Sequence, residues 1–297
     1  MSGEVATAGP APVRAPAPTG LLRHARYVLA GNPVTALAFA LFALLALAAL
    51  AGPVLAPYDP VTAAGPTLQP PSTAHWFGTD ALGRDVFSRV VAATRLDLGM
   101  AFAAVAIVFA FGTLAGTAAG FFGGWTDRLV SRLADTVMAF PLFVLAMGIV
   151  AAMGNNVQNI IIATAIVNFP IYVRIARAEA NIRRDAGYVE AARLSGYGDW
   201  RILLTEVAPN LLPIMMVQVS LTMGYAILNC AGLSFIGLGI RPPTPEWGIM
   251  VAEGASNIIS GEWWVALFPG LALMLAVFTF NLLGDGLRDL VDPRKRT

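Results

Sequence analysis

A nucleotide-hydrolysing site needs a lysine just after a glycine loop, so that backbone amides and one ammonium grip the β- and γ-phosphates. This chain has one lysine, Lys295, in the run DPRKRT, and no glycine loop precedes it. Between Arg294 and Arg296 its role is a positive anchor after the last apolar run. A metal centre needs clustered histidines, cysteines or carboxylates. His24 and His75 lie far apart, and the lone Cys230 sits in an apolar run, which also excludes an intrachain disulfide. No catalytic residues, metal site or cofactor of its own is therefore expected. What remains is DAGYVEAARLSGYGDWRILLTEVAPNLLP, residues 185–213, with four acids and two arginines between apolar runs. Its residue types suit contact with another surface, not bond-making.

Local rules fold that stretch into two short helices. Asp185 can cap a helix running to about Leu194. Tyr188, Ala191, Ala192 and Ser195 then share a face at i, i+3, i+4 and i+7, where small side chains let a partner approach closely. Gly196 suits a left-handed C-terminal cap. Asp199 can cap a second helix beginning at Trp200, and Pro209 and Pro213 end it and bend the chain onward. The acidic excess argues against a nucleic-acid partner, as does the net charge of +1.

The flanking runs place this hairpin. The chain is 57% hydrophobic and 12% charged, with a mean hydropathy of +0.69. A soluble domain is about 25% charged; this composition is that of a polytopic membrane protein. Six runs approach the length of a span: Val34–Ala56, Leu98–Phe122, Thr136–Met153, Val157–Val173, about 212–236 and Trp264–Gly284. The first is too long for a signal-peptide core, and a stretch rich in Ala, Pro and Gly precedes it. Leu21–Leu29 reads as a short surface helix. With six spans, both termini share a side, and every basic residue except Arg84, Arg89, Arg95 and Arg241 falls on it. That side is cytoplasmic, and the hairpin is cytoplasmic with it.

On the opposite side, Thr79 or Asp80 can cap a helix with Leu82, Val86 and Val90 on one face, and Trp247 can begin another. Both read as connectors lying on the membrane, with Trp263 and Trp264 in the interfacial belt. Asp97 and Asp135 read as boundary residues that reach water. The deeper Gln218 and Asn229 read as helix-to-helix hydrogen-bonding groups, or alternatively as lining a pathway. Gly112, Gly116 and Gly120 form a small-residue packing face.

The stretch YVEAARLSGYGDWRILLTEVAPNLLP resembles the EAA loop of bacterial ABC importer permeases, with Glu190, Ala191, Ala192, Gly196 and Val207-Ala208-Pro209 at the matching positions. LAPYDP at 55–60, GTDALGRDVFSR at 78–89, SFIGLGIRPPTPEWGIM at 234–250 and the run WWVALFPGLALMLAVFTFNLLGDGLRDLVDPR at 263–294 resemble the dipeptide, oligopeptide and nickel branch, and its "C" type of paired permease. The resemblance implies an all-α, type I importer fold in the bacterial inner membrane, with six transmembrane helices. It implies a cytoplasmic tail at 1–26, a first span at 27–57, a periplasmic segment at 58–95, a permease core at 96–287 and a tail at 288–297. Within the core, 180–212 is the coupling loop that seats in an ATPase cleft, using Tyr188, Glu190, Ala191, Ala192, Gly196, Asp199 and Trp200. The implied partners are a second homologous permease, two ATPase subunits that bind ATP and magnesium, and a substrate-binding protein. The cargo of such systems is di- or oligopeptides, glutathione-like compounds, opines or nickel chelates. An ion-coupled secondary transporter is the competing class, but it favours charged residues at mid-span, and none occurs centrally here. A non-transporting scaffold needs no coupling hairpin.

Overall fold

The structure, a computed structural model, describes residues 32–291. The surface helix expected over 21–29 and the anchor at Lys295 lie outside them. Apart from an isolated bridge between Thr79 and Asp85, regular structure among the described residues is helical. Five helices are long and apolar enough to cross a membrane, and six spans result if one sharply bent pair counts as a sixth.

Helix α1 is Pro33–Leu55; Asn32 caps it, its side chain accepting from the Val34 and Thr35 amides, and Pro33 opens the first turn. Helix α2 is Val86–Phe122, twelve residues longer at its start than the apolar run beginning at Leu98. The cap is Asp85, which accepts from the Ser88 amide at 2.8 Å, so neither Thr79 nor Asp80 begins a helix. Val86 and Val90 are buried as expected, but Leu82 faces outward from an irregular segment.

The third apolar run is broken. Helices α3, Gly124–Met138, and α4, Leu142–Met153, meet at 90°. Pro141 has no amide to continue the ladder and disfavours helical backbone at Phe140. Helix α5 is Val157–Arg183, capped by Asn156, and extends ten residues past the apolar stretch. Helix α6 is Gly187–Leu194. Helix α7 is one continuous run, Asp199–Phe235. The prolines at 209 and 213 do not end it. A π turn at Leu203–Val207 shifts the ladder by one residue, with the Ala208 amide bonding the Leu203 carbonyl. That wider turn accommodates the missing amide of Pro209, and the Asn210 side chain takes the Glu206 carbonyl at 2.6 Å. Helix α8 is Trp247–Ala255, and α9, Trp264–Val291, completes the fold.

The most extensive helix pairing is α2 against α5, and the glycine stripe permits it. A Cβ added at Gly116 would lie 2.5 Å from the Val173 carbonyl oxygen, and one at Gly120 would lie 2.3 Å from that of Arg177. The two backbones touch, as small-residue stripes allow. Gly116→Val should therefore cost about 1–3 kcal/mol by overpacking. Thermal unfolding of the purified chain in lipid nanodiscs measures this, and an unchanged melting temperature would contradict the close approach.

Three apolar clusters divide the interior. One packs α1, α2, α7 and α9 around Trp247 of α8. A second joins α2 and α5 to the base of the α6–α7 hairpin. The third packs α4 against α2, α5 and α7 around Met100, Ile160 and Cys230.

Candidate functional site

The hairpin forms much as local rules dictate, with different caps. The residue flanking α6 is Ala186, and Asp185 turns instead to the Arg184 guanidinium at 3.1 Å. Asp199 is the first helical residue of α7 rather than its cap, because Gly198 precedes it in extended backbone. The turn between them is a Schellman motif. Gly196 has φ +81°, its amide bonds the Arg193 carbonyl, and the Tyr197 amide bonds the Ala192 carbonyl.

The two sides of the hairpin differ sharply. Val189 and Ala192 are buried with Ile202, Leu203 and Val207 in the cluster that reaches α2 and α5. Ala192 thus faces its own chain, away from the outward surface holding Tyr188, Glu190, Ala191 and Ser195. The cause is the helical phase: Val189 and Ala192, at i and i+3, form the inner stripe. The outward surface also carries Leu194, 90% exposed, and Trp200, 61% exposed. Leu194 escapes sequence reasoning because it lies off the small-residue face. Aromatic contacts tie the turn to the end of α2: the Trp200 ring is 4.9 Å from that of Phe122, and the Arg193 guanidinium lies 5.6 Å from the Phe121 ring. Arg201 stacks on Tyr197 at 3.8 Å. Pushing on α6 therefore pushes α2, α5 and α7 together.

Three of the in-span amides bond back to their own helices, whereas Asn159 near the start of α5 donates to the Met153 carbonyl of α4 at 2.8 Å. Gln218 donates to Thr222 at 3.0 Å, Asn168 to the Thr164 carbonyl and Asn281 to the Val277 carbonyl. Four-residue spacing on one helix is within reach of a short amide, so no partner helix is needed. Gln218 lines a cleft of about 600 Å³ between α5, α7 and α9, with Glu179, Asp285 and Arg288 at its rim. This cleft lies at the same end as the hairpin. Asn229 is half-buried near the far end of α7, well away from Gln218, and the structure does not bring the two together. Asp135 is a boundary residue, paired with Arg174 at 2.9 Å in an exposed position. Asp97 is not: it is 3% exposed, because the segment before α8 folds over it.

On the far side, residues 57–85 and 236–263 form a packed platform instead of two connectors lying on the membrane. Arg84 bonds Asp80 at 2.7 Å and Glu253 of α8 at 3.1 Å. Arg89, 1% exposed, donates to the Pro60 carbonyl at 3.1 Å and reaches Asp80 and Glu253 at 3.5 Å. His75 Nδ1 lies 2.9 Å from Asp85, and Tyr58 packs over the imidazole. Trp264 is buried, its indole donating to the Thr79 carbonyl at 3.1 Å, so it pegs the platform to α9 while Trp263 remains half-exposed. The signal for this network was in the sequence: Arg84 and Arg89 are exceptions to the charge asymmetry, and internal carboxylates neutralise both.

The family model described as binding-protein-dependent transport system inner membrane component matches residues 112–297, which include the hairpin. The chain is 42% identical over 272 residues to the probable D,D-dipeptide transport system permease protein DdpC of Escherichia coli strain K12, covering 90% of each chain. It is 46% identical over 230 residues to the dipeptide transport system permease protein DppC of Alkalihalophilus pseudofirmus, covering 77% of this chain and 75% of that one. It is 42% identical over 227 residues to the glutathione transport system permease protein GsiD of Pectobacterium atrosepticum, covering 76% and 75%.

Proposed function

This chain belongs to the family of binding-protein-dependent transport system inner membrane components, and we propose that it forms half of the translocation pathway of an ATP-driven importer of small peptides. As a family member it is a multi-pass inner-membrane permease, with ATP bound by separate ATPase subunits and cargo delivered by a binding protein. The peptide cargo is inferred from relatives named for D,D-dipeptide, dipeptide and glutathione transport. The division into a periplasmic segment, a permease core and cytoplasmic tails follows the same reading. The other half of the pathway is a second, homologous permease, and the ATPase subunits number two.

One observation carries the mechanism: a hairpin whose outer surface is exposed and aromatic while its inner stripe is bolted to α2, α5 and α7. Tyr188, Glu190, Ala191, Leu194 and Trp200 form the surface that enters the ATPase cleft, Glu190 making a polar contact at its edge. Gly196 sets the turn that aims this surface, Asp199 opens the helix behind it, and Ala192 holds α6 to the spans. Closure of the ATPases on ATP then carries α6 and the bases of three helices as one body, switching the pathway between inward- and outward-facing states. The cleft beside Gln218 is its cytoplasmic mouth, and Asn229 lines it deeper.

Reconstitution tests this reading. Proteoliposomes holding this chain, its paired permease, the ATPases and the binding protein should accumulate labelled dipeptide only with ATP, and excess unlabelled peptide should compete. Uptake by the chain alone, driven by a proton or sodium gradient without ATP, would establish a secondary transporter instead.

A further inference from the structure

Two carboxyl side chains from distant parts of the chain meet inside the molecule. Asp97 of α2 is 3% exposed and Glu246, the cap of α8, is 0% exposed. Glu246 accepts the Gly248 amide on Oε1 at 2.9 Å and the Ile249 amide on Oε2 at 2.8 Å. Asp97 Oδ2 accepts the Trp247 amide at 3.0 Å. Asp97 Oδ1 is fully buried and has no donor, and the Asp97 side chain, bonded to the amide next to Glu246, lies within interaction range of the Glu246 carboxyl. The other polar groups around the pair, from α7, are the Cys230 thiol, itself 3.6 Å from the Thr164 hydroxyl of α5, and the Ser234 hydroxyl. The nearby cations are committed elsewhere, Arg84 and Arg89 being held by Asp80 and Glu253. Among the described residues no arginine, lysine or histidine is ion-paired with either carboxyl of the pair.

Two adjacent, buried carboxylates with no cation cannot both stay ionised. We propose that Asp97 and Glu246 together bind one proton, carried on Asp97 Oδ1 and donated to the Glu246 carboxylate, so that a proton latches the start of α8 to α2. The hydrogen bonds decide which partner is ionised. Both Glu246 oxygens already receive backbone amides at the start of a helix, where negative charge is favoured. Asp97 has one oxygen so engaged and one without a donor near the Glu246 carboxyl, a contact that becomes attractive only with a proton on it. Burial pushes the Glu246 carboxyl above the ordinary carboxylate range against the opposing pull of the Ile249 and Gly248 amides, consistent with a shared proton.

The sign of the pH dependence follows. A proton bound more tightly in the folded chain gives stability that is complete below the unfolded carboxylate range, about 4. That stability is lost as pH rises through the folded value. Periplasmic alkalinity should therefore loosen the latch.

The test uses the assembled complex in lipid nanodiscs. At neutral pH, infrared difference spectra of wild type minus Asp97→Asn should show a carboxylic C=O stretch that shifts in D2O, and the wild-type band should disappear as pH is raised. The introduced carboxamide can donate where the carboxylic acid did, so Asp97→Asn should keep its melting temperature and lose the alkaline fall shown by wild type. Glu246→Gln should melt lower at every pH, since one amide oxygen cannot take both helix-start amides. Absence of a protonated carboxyl in wild type, or a band unchanged by Asp97→Asn, would overturn the proposal. So would a tolerated Glu246→Gln beside an unstable Asp97→Asn, which would move the proton to the other partner. Should Asp97→Asn fail to assemble, titration of the wild-type band decides alone.

Discussion

Gly196→Val should abolish the stimulation of ATP hydrolysis by cargo-loaded binding protein, while the chain should still insert and fold. At φ +81° the residue is in left-handed backbone, which a β-branched side chain resists strongly. For L-residues generally that region costs about 1–2 kcal/mol. Nothing lies within 4 Å of a Cβ built there, so the strain is confined to the turn and does not propagate into the spans. Relief requires breaking the bonds from the Gly196 and Tyr197 amides to the Arg193 and Ala192 carbonyls. Helix α6 then loses its fixed angle to α7, and its outer surface no longer meets a partner that requires one orientation. Gly196→Asn tolerates the left-handed region and should retain most of the stimulation. Ala191→Trp, on the exposed face, should block docking sterically and reproduce the valine defect. The readout is the ratio of stimulated to basal ATPase activity in the reconstituted complex. Wild-type ratios in both Gly196→Val and Ala191→Trp would show that α6 is not the coupling element.

Arg89→Met should be the most destabilising single change on the opposite side. Methionine keeps much of the volume but removes the guanidinium that binds the Pro60 and Pro243 carbonyls together with Asp80 and Glu253. Arg84 is left to balance two acids, the buried Asp80 and the half-buried Glu253. Removing one partner from a buried ion network costs up to about 3–5 kcal/mol, and the remaining pairs to Arg84 place the loss toward the lower end of that range. Arg89→Lys should recover only part of this, since an ammonium cannot present the planar fork that reaches two carbonyls and two carboxylates. Thermal unfolding of the complex measures the loss. Limited proteolysis should also cut residues 57–85 faster in the methionine variant. Equal melting temperatures and equal cleavage would mean the network is not what holds the platform.

How much of this was legible beforehand divides along a physical line. Hydropathy over a window, the sign of flanking charges and the conformational needs of a single glycine are properties of a short stretch of chain. Five of the six apolar runs as long helices, the hairpin, the left-handed turn at Gly196 and the α2 glycine stripe could all be read that way. Trp247 as the start of α8 belongs with them, because Glu246 before it is a local cap. Span ends were less legible. A helix with Val86 and Val90 on one face was expected there, but its cap is Asp85 rather than Thr79 or Asp80, and it runs on without a break into the span.

Burial and the choice of partner are not local, and the tertiary structure alone decided them. Asp97 looked like a boundary residue because it stands one residue before an apolar run; it is buried because residue 246, from the other end of the chain, covers it. Ala192 looked available to a partner, yet Ile202 and Leu203 return beneath it after the turn. Pro209 looked like a terminator because proline removes one amide, and a π turn one step earlier absorbs that loss. The third apolar run looked like a single span, since its composition carries no information about the direction in which the chain leaves Pro141. The sequence by itself determined which segments are long and apolar enough to enter the membrane and where the polar hairpin between two of them lies. Only the fold decided which polar groups meet inside, because those meetings depend on helix packing across more than a hundred residues of chain.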